Sequence, residues 1–172
     1  MGAVAVTYAK EQAFTLGLMA FAMAVETAVV DLLLIANDVA PAVRVPVLIA
    51  DLYGLLFCLT LAAGAATRPH VVTTGELRVR FGAYFDLRVP RDRIAAVRLS
   101  LGFNEGGMVT VKDGRVTVAV ASRTNVTVEL TEPVTVVRPL GRRAEVGSIR
   151  FFADDPAALM TALTRTARDE VA

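Results

Sequence analysis

The 172-residue chain has no tryptophan, one cysteine and one histidine. A lone cysteine provides no disulfide framework, and a lone histidine without cysteine neighbours provides no zinc ligand set. Cys58 falls in the most apolar part of the chain and reads as a small packing residue. His70 reads as a polar residue at a membrane interface. Phosphate-cradling loops are missing as well. Neither GxxxxGK[ST] nor GxGxxG occurs, and Gly102 and Gly106-Gly107 flank a turn. No GxSxG marks a nucleophile elbow. The expectation is a non-enzyme with no catalytic residues, no cofactor and no metal. Basic residues are not interleaved with aromatics, so nucleic acid is not an expected partner.

Charge is scarce in the front third. From Gln12 to Thr67 only Glu26, Asp31, Asp38, Arg44 and Asp51 are charged, whereas 16 of the 18 Lys and Arg lie at or beyond Arg68. Hydrophobic residues make up 55% of the chain, above the roughly 45–50% of ordinary soluble domains. The excess is concentrated in two runs, Ala13–Ala36 and Val45–Ala66. Each is about long enough, at ~20 helical residues, to cross a ~30 Å hydrocarbon core. Asn37-Asp38 and Pro41 supply the turn between them, and Pro46 sits where a young helix tolerates it. A signal peptide competes poorly, because the basic n-region is weak and a second span follows directly. A soluble buried hairpin is the other alternative.

The spans differ in strength. An Asp at mid-span costs ~2.5–3.5 kcal/mol, while each Leu, Ile, Phe or Val returns ~0.3–0.6. The first span has eleven such residues against Glu26 and Asp31, a gain of roughly 5 kcal/mol opposed by up to roughly 6. The second has ten against Asp51 alone and is favourable. The pair should insert together. Lys10 lies before the first span and Arg68, Arg78 and Arg80 follow the second, so the positive-inside rule predicts two cytoplasmic ends in a multi-pass protein of the cell membrane. Glu26, Asp31 and Asp51 form a candidate intramembrane polar site, since buried carboxylates at membrane depth are functional candidates by default. They could hold a proton or cation, line an oligomer interface, or sit near headgroups with Arg44 as counter-charge.

Beyond residue 68 the pattern changes to period two. VVTTGELRVRF reads as strand, turn and strand around Thr74-Gly75, and YFDLRV follows as a third strand ended by Pro90. MVTVKDGRVTVAV is a hairpin around Asp113-Gly114. RDRIAAVRLS, NVTVEL, PVTVV and VGSIRFF supply further strands rich in Val, Thr and Phe. A closing helix is capped by Asp154 or Asp155, starts at Pro156, packs through Leu159, Met160 and Leu163, and ends on Arg165 and Arg168. The predicted class is therefore α+β: a transmembrane hairpin in residues 1–67 and a cytoplasmic barrel or sandwich of antiparallel strands in residues 68–172.

This order of elements resembles bacterial membrane proteins that carry a PH-like domain after paired transmembrane helices. The resemblance is carried by DLYGLLFCLTLAA running into Thr67-Arg68-Pro69, by TRPHVVTTGELRVRFGAYFDLRVPRDRIAAVRLS, by NVTVELTEPVTVVRPLGRR and by IRFFADDPAALMTAL. It implies a seven-stranded barrel with a C-terminal helix and no catalytic residues. The phosphoinositide site of eukaryotic PH domains has no counterpart here, since the first hairpin offers only Glu76, Arg78 and Arg80. Arg138, Arg142 and Arg143 form a basic loop and a candidate contact to anionic headgroups, at ~1 kcal/mol per cation. The functional expectation is a membrane-anchored interaction module that docks a protein partner or organises a homo-oligomer. A lipid-binding module and an ion- or proton-conducting oligomer are the alternatives.

Overall fold

A computed structural model of the chain describes residues 3–139 and 141–169, with side chains described through residue 164. Two long helices, α1 (Ala9–Ala36) and α2 (Pro41–Thr67), form the expected hairpin. The turn is tight. Asp38 takes a left-handed backbone (φ 51°), and the Asn37 side-chain amide donates to the Leu33 carbonyl at 2.8 Å. Pro41 opens α2 at a position where no backbone N–H is needed. Both helices are long and apolar enough, by length and composition, to cross a membrane. Of the most apolar stretch in each, 0% and 6% is buried by the rest of the protein. Phe14 and Phe21 are 78% and 67% exposed.

Among the described residues the rest is nine strands in two sheets and a third helix. The first sheet has the order β1-β2-β3-β4, built from Val4–Val6, His70–Val72, Glu76–Phe81 and Phe85–Pro90, all antiparallel. After a short 3₁₀ turn at Arg91–Arg93 come β5 (Ile94–Gly102), β6 (Val109–Lys112), β7 (Arg115–Val118), β8 (Thr124–Val137) and β9 (Arg143–Phe151). They form the second sheet in the order β5-β8-β9-β7-β6. The helix α3 (Pro156–Asp169) packs on β1, β2 and β5.

Alternation explains the core. Leu77, Val79 and Phe81 of β3 and Leu87 and Val89 of β4 point inward. They meet Val116, Val126, Val128, Ile149 and Phe151 of the second sheet in one apolar cluster, closed by Leu159 and Leu163 of α3. The Asp113-Gly114 hairpin is as expected: φ is 51° and 67°, the left-handed pair that a two-residue turn requires. Asp155 caps α3, accepting from the Ala158 N–H at 2.9 Å. Arg165 and Arg168 carry side chains outside the described residues.

Three features differ from the sequence reading. Among the described residues the strands make two open sheets rather than a closed seven-stranded barrel. NVTVEL and PVTVV belong to one continuous strand, β8, whose pairing with β9 shifts register between Glu129 and Val134. Pro133 is tolerated there because the ladder is interrupted. One pair, β7 with β9, is parallel, because β9 inserts between β8 and β7.

The chain ahead of the helices also joins the β region. Val4–Val6 pairs with His70–Val72, so the whole helical hairpin is the connection between two neighbouring strands. VAV is too short and too close to an apolar helix to announce itself as a strand.

Candidate functional site

The junction between helices and sheets is the most elaborated part of the molecule. Two residues, Thr7 and Tyr8, separate β1 from α1, and Arg68 and Pro69 separate α2 from β2. Tyr8 is buried, stacked on Phe81 with ring centroids 5.9 Å apart, and 4.8 Å from the His70 ring. Its hydroxyl accepts from the Gly82 N–H at 2.6 Å. Burial raises the Tyr8 pKa, with the Gly82 hydrogen bond acting the other way.

His70 is not the interfacial residue expected from its place in the sequence. It is fully buried, and both ring nitrogens are used. Nδ1 accepts from the Arg80 N–H at 3.1 Å, which leaves Nε2–H to donate to the Phe152 carbonyl at 2.9 Å. The ring meets Phe151 edge-on at 4.9 Å. His70 thereby ties β2 and β3 to the end of β9. Burial pushes its pKa down to about 4, the Phe152 hydrogen bond only partly opposing it.

The adjacent aspartates divide their work. Asp155 caps α3, whereas the Asp154 carboxylate accepts from the Thr7 hydroxyl at 2.7 Å and the Lys10 N–H at 3.2 Å. It thus caps α1 from a distant part of the chain, where the residue at the cap position, Tyr8, offers no side-chain bond. Glu11, in the first turn of α1, pairs with Arg123 in the β7–β8 turn. Further along α2, Gly64 lies against Gly82, and a Cβ placed on Gly64 would come 3.1 Å from the Gly82 Cα. Phe57 meets Tyr84 edge-on at 6.3 Å.

The three acids of the helices are only partly brought together. Asp31 and Asp51 line one narrow gap with Thr27, Arg44, Val47 and Leu48. Arg44 Nε lies 3.2 Å from an Asp31 carboxylate oxygen, close enough for an ion pair but not aligned as a hydrogen bond. Glu26 stands apart, exposed on the outer surface of the hairpin.

The basic loop lies far from the junction. Along β8, Val126 pairs with Phe151 near the helices, and Val137 pairs with Arg143 at the other end. On β9 the partners Phe151 and Arg143 are eight residues apart, about 26 Å of extended chain. Arg138, Arg142 and Arg143 therefore occupy the end of the sheet remote from the helices. They sit in a turn closed by the Arg138 N–H donating to the Arg142 carbonyl at 2.8 Å.

The second sheet turns a polar face away from the core. Arg115, Thr117, Thr127, Ser148 and Arg150 alternate with buried Val116, Val118, Val126, Val128, Ile149 and Phe151, and Arg98 of β5 pairs with Thr127 on the same face. Arg150 reaches Glu105 at 3.4 Å and the Ser100 hydroxyl at 3.2 Å, and Arg115 reaches Ser148 at 3.1 Å. Two adjoining recesses of about 570 and 390 Å³ share Arg115 and Arg150. The polar alternation of β7 and β9 carried this signal, but only the insertion of β9 beside β7 puts the two arginines together. A third, apolar groove of about 440 Å³ runs between the helices, lined by Gln12, Met19, Met23, Phe57 and Leu61 and by Met108 of the β5–β6 loop. Among the described residues no three His, Cys, Asp or Glu side chains are grouped to hold a metal ion.

Comparison with protein-family models, with curated proteins and with solved structures returned no match.

Proposed function

We propose that the chain is a membrane-anchored, non-enzymatic interaction module with a PH-like domain fixed rigidly at the cytoplasmic face. The observation that carries this reading is the junction. The helical hairpin leaves and re-enters the protein between the paired strands β1 and β2 through two-residue connections. Such connections leave the domain no freedom to swing, so its polar face keeps one orientation to the bilayer. The bare apolar helices support the membrane part, because a soluble hairpin would bury that surface and monomeric proteins rarely expose so large an apolar area. Lys10 and Arg68 at the sheet end of the helices agree with a cytoplasmic domain.

The docking face in this reading is the Arg98–Arg115–Arg150 surface, which suits an acidic or mixed-charge protein segment. The full chain with Arg115→Glu and Arg150→Glu, cross-linked in membranes, should lose its partners while remaining in the membrane fraction. An unchanged set of cross-linked partners would refute the docking reading. Glu26 favours a homo-oligomer as part of the same module, since a carboxylate facing hydrocarbon is costly and a helix of a second copy would cover it.

A further inference from the structure

We infer that the domain does not merely hang beneath the bilayer, and that its helix-facing rim is sunk into it. The inference rests on the membrane-spanning reading above and adds a lipid-contact surface to it. Within each sheet the strand directions bring every second connection back to the same end, the one nearest the helices. The β3–β4 turn, the β5–β6 loop and the β7–β8 turn all do so, as the Gly64–Gly82 approach, the Met108 contact with the groove and the Glu11–Arg123 pair establish. These connections bear the exposed residues Tyr84, Phe103 and Met108.

Helix length places them in depth. At 1.5 Å per residue, α1 and α2, with 28 and 27 residues, are about 42 and 40 Å long, against a ~30 Å hydrocarbon core. With the polar Asn37-Asp38 turn at one boundary, the core extends over ~20 residues of each helix. It ends near Leu16 in α1 and near Leu61 in α2. Phe57 lies sixteen residues from the start of α2, about 24 Å, and so inside the core. Tyr84, edge-on to Phe57 with ring centroids 6.3 Å apart, lies within about 6 Å of that depth, between it and the core boundary. Met108 shares a groove with Gln12, Leu16 and Met19, which straddle the boundary. Phe103 lies lower, under Arg123 at 5.4 Å and beside the first turn of α1, at headgroup level. Tilting the helices shortens their projection and takes all three deeper. An aromatic ring, a thioether and a second aromatic ring with a cation over it suit this boundary, where amphipathic rings and basic side chains collect.

The absence of tryptophan makes the test direct. Single-tryptophan variants of the full chain, Phe21→Trp, Tyr84→Trp, Met108→Trp and Val137→Trp, would be reconstituted in phosphatidylcholine vesicles with and without acyl-brominated phosphatidylcholine. Bromine should quench and the bilayer should blue-shift Phe21→Trp, Tyr84→Trp and Met108→Trp. Val137→Trp, at the remote end of β8, should keep its emission. Quenching of Phe21→Trp with Tyr84→Trp and Met108→Trp as bright as Val137→Trp would overturn the sunken rim and leave the spanning helices standing. An unquenched Phe21→Trp would overturn both.

Discussion

The Nε2–H of His70 donates to the Phe152 carbonyl at 2.9 Å across 82 residues of sequence. That bond joins the strand leaving the second helix to the end of the second sheet. The companion bond on the other side of the ring depends on a neutral imidazole, because Nδ1 must accept from the Arg80 N–H.

Stability should therefore depend on pH through His70. The unfolded chain binds a proton near 6.5, the folded one only near 4. Between these values the unfolded state holds more protons, so acid favours it. The His70 contribution is complete above pH 6.5, declines as pH falls to about 4, and is flat below. Its full size is about 3 kcal/mol at ~1.4 kcal/mol per pH unit. Denaturant midpoints from pH 7 to 4 should fall in the parent chain and fall less in His70→Gln.

Tyr8→Phe keeps the ring stack and removes the acceptor of the Gly82 N–H. A buried donor left alone costs about 1–3 kcal/mol. Thermal unfolding in detergent should record that loss, and hydrogen exchange should quicken at Gly82.

Gly64→Leu pushes a side chain into the backbone of Gly82. The larger side chain forces one backbone off the other, so a destabilisation of about 1–3 kcal/mol is expected. Gly17→Leu, with open space around it, should change domain stability little under the same melt.

Asp154→Ala and Asp155→Ala should have different effects although the residues are adjacent. Each removes a cap, at about 1 kcal/mol. Loss of Asp155 should fray α3, whereas loss of Asp154 should free Thr7 and the start of α1. Residue-resolved hydrogen exchange separates the two outcomes.

Glu26→Leu removes the mid-span carboxylate from the weaker helix. On the insertion scale the change favours α1 by about 3 kcal/mol. A glycosylation-based insertion assay on the isolated first span should move from partial to nearly complete insertion. The full-length variant should also lose self-association in light scattering.

Much of this was legible along the chain. Alternation in ELRVRF and FDLRV marked β3 and β4, and Asp113-Gly114 marked its hairpin, because each signal is local. Asp31 and Asp51 were expected to share a depth and do line one gap, since two antiparallel helices of equal rise impose it. Glu26 joins them in the sequence only as a third carboxylate at membrane depth; five residues on a helix turn a side chain well away from Asp31, and it faces outward.

What the residues determined by themselves is the inventory: two apolar helices, then a β-rich region with a closing helix. Their causes are period, composition and turn residues within short windows. Only the tertiary structure decided that Val4–Val6 completes the first sheet and that β9 lies beside β7. It also decided that Tyr8 and His70 meet at the root of the hairpin and that the basic loop faces away from it. Those outcomes depend on pairings between segments tens of residues apart. Many partners satisfy a strand's hydrogen bonds equally well, and the buried surface of the whole fold selects among them.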